Sequence, residues 1–500
     1  MVLSWLVFAL PLAIPLSAPA SCCTGPIVST RTGVVRGFRR VVLEDKVVES
    51  FTGIPYAKAP VGKRRFRRPE PVEPWNGTLD ATRPAPACTQ TSTVDAKAIK
   101  FQENKKGMCE DCLFLNIWTP KRELSKNRSV MVWLFGGALL TGSAADGAIL
   151  AAYGDVVVVT LNYRLGVFGF LYGGTEDAPG NQALYDQALA LTWVRDNVDR
   201  FGGSPDSITL FGQSSGAWSV TFHLLSPITQ SMVRKAIIQS GGVDRKHLVR
   251  KDTDMLERAH TFAEFLGCSR GANSTEKLTA EAVDCLRSAN SSELSVTERL
   301  FTILKTAFFQ PIYGDEFMPV EPRLAKFPGN KDILIGQVEN EGALYISQNF
   351  RDTFSQTKTS RKINKLEMEY FLGKIFPSLN LPSLKRVHEE YMGNLQDFDY
   401  DALRQALVDA RGDSHVVCGV VGAALKLANA TTLNNTGAGV YYYKISHVPR
   451  CMEREAWLKT THANDVPYVF GNSFEDGGCA PDRAISRTVM RLWSSFAKKR

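Results

Sequence analysis

The chain has 500 residues, of which 44% are hydrophobic and 10% aromatic. That composition can bury a sizeable core and excludes a disordered protein. Its 59 basic and 51 acidic residues leave a net charge of +8. The clusters Lys63-Arg-Arg65, Arg67-Arg68 and Lys498-Lys-Arg500 read as solvated surface, so no nucleic-acid partner is expected.

Val2 to Leu16 is almost wholly apolar, and Ser17-Ala18-Pro19-Ala20 supplies the small residues of a cleavage site. Residues 1–20 therefore read as a signal peptide. The run is short and interrupted by Pro11 and Pro15, which argues against a membrane span. No later stretch is expected to form a transmembrane helix. Ten cysteines and six N-x-S/T acceptors, at Asn76, Asn127, Asn273, Asn290, Asn429 and Asn434, agree with a secreted, extracellular protein.

After the leader, Ile27 to Val48 reads as short strands turning at Thr32-Gly33. Gly53 to Pro71 is rich in Pro and Arg, and ordered surface loop is expected there. Cys88 and Cys112 bracket a polar segment that a disulfide would staple, worth ~3 kcal/mol in a chain-entropy model. The rival, Cys109-Glu-Asp-Cys112 as a redox or metal site, lacks a second Cys/His pair nearby. Val130–Phe135, Val156–Leu161, Ile208–Phe211 and Ala236–Ile238 are continuous apolar runs, as in strands buried on both faces of a parallel sheet. Gln182 to Val198 places Leu184, Leu189, Leu191, Trp193, Val194 and Val198 at helical spacing. Strand alternating with helix predicts an α/β fold. Lys251 to Thr306 is expected to be mainly helical, with Cys268 and Cys285 able to pair inside it. Ile333–Val338 and Val440–Ile445 are later strands, and 21–500 reads as one domain.

Ser207 to Val220 reads S-I-T-L-F-G-Q-S-S-G-A-W-S-V. An apolar run stops at Gly212, and Ser214 lies between Gly212 and Gly216. In a strand–turn–helix context, G-x-S-x-G is a nucleophile elbow. The glycines remove the Cβ atoms that would clash in a tight reversal. A serine hydroxyl needs a base, and the base needs an acid to orient it. Seven histidines are available.

The chain resembles the type-B carboxylesterase/cholinesterase family of α/β hydrolases. The matching blocks include Phe51-T-G-I-P-Y-Ala57, Glu110-D-C-L-F-L-Asn116, Val132-W-L-F-G-Gly137 and Leu161-N-Y-R-L-G-V-F-G-F-Leu171. They continue through Gly180-N-Q-A-L-Y-D-Gln187, Phe201-G-G-S-Pro205, Gly212-Q-S-S-G-Ala217, Asn340-E-Gly342 and His462-A-N-D-V-P-Y-V-F-Gly471. The resemblance implies a twisted, mostly parallel sheet flanked by helices, a small-molecule ester substrate, and neither cofactor nor metal. It implies Ser214 as nucleophile, His462 as base and Glu341 as orienting acid, in the chain order Ser, acid, His. His447 is the rival base, while His388 is expected to face solvent and His415 to be structural. Asp315 and Glu339 are rival acids. The oxyanion donors implied are the N–H groups of Gly137, Ala138 and Ser215.

Four departures from the family pattern stand near this motif set. Gln213 precedes the serine where many members carry glutamate. Ala138 replaces a glycine in the oxyanion loop. Trp218 follows where a small residue is usual, and either narrows the site or packs behind it. Gln102, beside Phe101, stands where cholinesterases carry the tryptophan that binds quaternary ammonium. The resemblance also implies a further C-terminal stretch beyond Ser495–Arg500 that holds the partner of Cys418; otherwise Cys418 pairs with Cys451 or Cys479. The expected activity is that of a secreted serine carboxylesterase. The alternatives are a cholinesterase or a non-catalytic adhesion protein on the same fold.

Overall fold

In a computed structural model, residues 25–91, 107–244, 248–270, 274–303, 309–357, 360–451, 453–475 and 478–499 are described. The expected leader, Cys22, Cys23, Phe101, Gln102 and Asn273 lie outside these residues. Among the described residues, nine strands form the central sheet: β1 (Phe38–Val41), β2 (Val47–Pro55), β3 (Phe114–Pro120), β4 (Arg128–Leu134), β5 (Val157–Leu161), β6 (Gly203–Gln213), β7 (Lys235–Gln239), β8 (Asp332–Val338) and β9 (Val440–Ile445). Their order across the sheet is β1-β2-β3-β5-β4-β6-β7-β8-β9. β1, β2, β3 and β5 pair antiparallel. From β5 to β9 every pairing is parallel. Every residue of β5 and β7 is buried, as continuous apolar strands require when helices cover both faces.

The flanking helices include α1 (Gln182–Asn197), α2 (Ser215–Leu225), α3 (Ser291–Ile303), α4 (Glu341–Asn349), α5 (Tyr400–Gly412), α6 (Cys418–Asn434) and α7 (Ala480–Lys498). The segment expected to be helical from Lys251 also contains helices at Asp252–Phe265 and Ala280–Ser288. A second apolar cluster lies outside the main core. It joins Ile346 of α4 and Leu403 and Leu407 of α5 to Phe354, Phe371 and Trp457.

Three sequence expectations change. β2 runs on to Pro55, inside the stretch read as loop, because an irregularity between Phe51 and Ile54 absorbs Gly53 at φ 77°. β6 begins five residues before Ile208, since its first half is polar and escapes an apolar-run search. Tyr400–Asn434 is one continuous helix of 35 residues, long and apolar enough to cross a bilayer by length and composition. No such segment was expected. Its Leu403, Leu407, Val420, Ala423 and Leu427 are buried within the fold, while Val421, Leu425 and Leu433 are exposed.

Disulfides join Cys88 to Cys112, Cys268 to Cys285 and Cys451 to Cys479. Cys418 is exposed and free, which corrects the reading that pairs it with Cys451 or Cys479. Cys109 is free too. Asp482 lies beside Cys451 and Cys479, but those two sulfurs bond each other.

One ion pair locks α1 to the segment after β5. Arg164 donates through Nε to Asp186 Oδ2 at 2.8 Å and through its terminal nitrogen to Oδ1 at 2.6 Å. Both side chains are buried. Asp186→Ala strands the guanidinium in the core, and a stability loss of about 3–5 kcal/mol is expected. The fall in the urea midpoint measures it; an unchanged midpoint contradicts the assignment.

Candidate active site

The C-terminal ends of the parallel strands carry the residues singled out above. Ser214 follows β6 and caps α2 with φ 57° and ψ −125°. Its N–H donates to the Gln239 carbonyl at the end of β7, at 2.9 Å. A Cβ on Gly216 would lie 2.0 Å from the Leu134 carbonyl of β4, so α2 can start this close to the sheet only with glycine there.

Glu341 opens α4 two residues after Glu339, and it is 1% exposed. Its Oε1 accepts the Val338 N–H at 2.9 Å, and its Oε2 accepts from His462 Nδ1 at 2.6 Å. Asn340 ties the two loops together. Its N–H donates to Thr460, and its amide donates to the Trp457 and Leu458 carbonyls at 3.1 Å. His462 Nε2 lies 3.2 Å from Gln213 Nε2. Among the described residues, no hydrogen bond joins Ser214 Oγ to His462.

The rivals fall elsewhere. His447 Nε2 bonds Asp482 at 2.7 Å. Asp315 bonds Asn181, Tyr185 and the Met318 N–H, and Glu339 faces Lys444. His388, expected to face solvent, is half-buried. His415 packs edge-on against Tyr345 at 4.4 Å, and Tyr345 in turn lies 5.3 Å from the His462 ring. Trp218 is half-buried and packs against the main core.

The loop after β4 holds three successive residues at positive φ: Gly137 at 132°, Ala138 at 59° and Leu139 at 62°. The left-handed region is open to a non-glycine residue at a cost of order 1–3 kcal/mol, so surrounding contacts must hold the loop. Leu139 N–H donates to Ser215 Oγ at 3.1 Å, and the Leu139 carbonyl accepts the Gly166 N–H at 2.8 Å. Gln90 bridges Gly142 to Cys88, beside the first disulfide. Among the described residues, nothing accepts from the N–H groups of Gly137, Ala138 or Ser215.

The model of the carboxylesterase family matches residues 24–500. The chain belongs to the carboxylesterase family. Acetylcholinesterase-1 of Trittame loki is 33% identical over 495 residues, covering 95% of this chain and 86% of that protein. Acetylcholinesterase of Bungarus fasciatus is 36% identical over 487 residues, covering 94% and 78%. Carboxylesterase 5A of Felis catus is 36% identical over 513 residues, covering 97% and 88%. This carboxylesterase-family chain is therefore a carboxylic ester hydrolase with an α/β-hydrolase fold.

Sequence reasoning missed two buried carboxyls near the site. Asp465, three residues after His462, accepts from Gln239 Nε2 at 2.7 Å, and Gln239 Oε1 accepts the Trp493 indole N–H of α7. Burial pushes Asp465 up to about 6; the Gln239 bond opposes this, the Glu341 charge adds to it, and His462 opposes it. Glu298 of α3 accepts the Val167 N–H at 2.8 Å. Burial raises it to about 7 against the pull of the Val167 and Phe309 N–H groups. Only the fold brings Val167 and Gln239 to these acids, so no motif signals them.

Both carboxyls hold their protons more tightly folded than in an unfolded chain, where they titrate near ~4. The stability they contribute is complete below that pH and is lost as pH rises through about 6 and about 7. Thermal midpoints are expected to fall between pH 5 and pH 8, and Glu298→Gln is expected to flatten the fall. Parallel curves for native and variant protein contradict this.

Proposed function

We propose that the chain is a secreted serine carboxylesterase that cleaves carboxylic esters through an acyl-Ser214 intermediate. The observation that carries the reading is the buried 2.6 Å Glu341–His462 pair, whose outer nitrogen reaches the residue next to Ser214. Glu341 holds the imidazole with its proton on Nδ1, leaving the Nε2 lone pair for the Ser214 proton. Ser214 Oγ then attacks the ester carbonyl. The carbonyl oxygen gathers charge toward the N–H groups of Gly137, Ala138 and Ser215, where preorganised donors count most. His462 returns the proton to the leaving alcohol, and water repeats the sequence to release the acid. Ala138 already adopts a left-handed backbone and is exposed, so its methyl group does not prevent its N–H from serving.

Secretion is supported by the apolar leader and three disulfides. Glycosylation is supported by acceptors Asn76, Asn127, Asn290, Asn429 and Asn434, all exposed.

Ser214→Ala is expected to lower kcat on a simple aryl ester by at least about 10⁴-fold; retained turnover contradicts the reading. The acetylcholinesterase relatives favour a second reading, hydrolysis of choline esters. Gln102 lacks the π face that a quaternary ammonium needs. Acetylthiocholine is therefore expected to show no advantage in kcat/KM over an uncharged thioester of similar size. An advantage of roughly tenfold, the worth of one good cation–π contact, favours the second reading.

A further inference from the structure

The loop after β4 and the start of α2 meet at Ser215. In the proposed reaction its N–H is the elbow's donor to the oxyanion. Its Oγ accepts the Leu139 N–H at 3.1 Å. That bond has one direction, because a backbone N–H can only donate and a hydroxyl oxygen can accept. Ser215 and Leu139 are 0% and 3% exposed, so water does not readily replace either partner.

The loop needs such a restraint. Ala138 and Leu139 hold φ at 59° and 62°, a region that strains an L-residue unless its surroundings fix it. The Gly137 carbonyl accepts the Leu140 and Thr141 N–H groups at 3.0 and 3.1 Å, which closes the loop on itself. Gln90 accepts the Gly142 N–H, and the Gly166 N–H donates to the Leu139 carbonyl. These contacts shape the loop, and the Ser215 hydroxyl ties it to the elbow. The tie grips the backbone nitrogen that follows the nitrogen of Ala138, itself a proposed donor.

We propose that Ser215 is a positioning residue through its hydroxyl, which sets the N–H groups of Gly137 and Ala138 at the distance from its own N–H that the oxyanion requires. The proposal rests on the acyl-Ser214 reading. Ser215 then acts twice: its backbone supplies one donor, and its side chain holds the loop that supplies the others. Charge gathers on the ester oxygen only as the tetrahedral intermediate forms. The tie therefore serves the transition state more than the bound ester. No covalent bond of Ser215 is made or broken.

The test compares full-length native and Ser215→Ala protein on an aryl ester, a methyl ketone and the trifluoromethyl ketone of the same skeleton, with rates counted per titrated active site. The methyl ketone binds as an uncharged ground state. The trifluoromethyl ketone adds the Ser214 hydroxyl and places an oxyanion among the donors. Ser215→Ala is expected to lower kcat/KM by about 3–10-fold, the worth of roughly one neutral hydrogen bond. The trifluoromethyl ketone inhibition constant is expected to rise by the same factor, while that of the methyl ketone stays within about twofold. Amide hydrogen exchange in the peptide spanning residues 136–142 is expected to quicken. Catalysis and trifluoromethyl ketone affinity both within about twofold of native overturn the proposal, as does unchanged exchange. So does an equal loss for both ketones, or a lowered thermal midpoint with the rate per site unmoved, since each marks a purely structural role. Ser215→Cys puts a weakly accepting sulfur in place of the oxygen. It carries the test if the alanine variant does not fold, and the same selective loss is expected of it. Native protein that binds both ketones equally would refute the acyl-Ser214 reading itself; native preference for the trifluoromethyl ketone confines a negative result to Ser215.

Discussion

Ser214 holds φ 57° and ψ −125°, a conformation that costs an L-residue of order 1–3 kcal/mol. The turn persists because its neighbours leave it no alternative. The Ser214 N–H is anchored on β7 through Gln239. Gly212 and Gly216 let the start of α2 press against Leu134 of β4. Gly241 would place a Cβ 2.3 Å from the Ser214 carbonyl. Three parallel strands thus define one serine, and the loop after β4 reaches it because β4 lies next to β6.

The Glu341–His462 pair is assembled differently. Glu341 and His462 sit 121 residues apart, on loops that follow β8 and β9. Parallel pairing of those strands brings the loops side by side, and Asn340 closes the gap with four hydrogen bonds to the neighbouring loop and to α5. A Cβ on Gly342 would lie 1.9 Å from the Val408 carbonyl, so only glycine there lets α4 pack this closely on α5. The second apolar cluster therefore steadies Glu341 from behind. Gln239 links this half of the site to the elbow: it receives the Ser214 N–H and donates to Asp465.

Much of this was legible in the residues alone. Strands β4, β5, β7 and β8 are apolar runs, and α1 has helical spacing, so the α/β class follows from local pattern. The elbow carries its own punctuation at Gly212 and Gly216. What stayed hidden is what depends on contacts between distant segments. Asn340 looks like an ordinary loop residue until the 457–461 loop lies against it. The motif points to Ser215 through its N–H, while its hydroxyl also restrains Leu139. Gln213 departs from the family pattern, but its meeting with His462 across 249 residues has no local signature. Buried Glu298 is indistinguishable in sequence from the exposed acids of an amphipathic helix.

The central claim is that ester cleavage passes through an acyl group on Ser214. Acid quenching during turnover of a slowly deacylated aryl ester, followed by mass spectrometry of the digested protein, tests it directly. One acyl group on the peptide containing Ser214, appearing at the rate of the initial burst of alcohol release, is the predicted result. Steady turnover with that peptide unmodified, or an acyl group on another residue, would contradict the account.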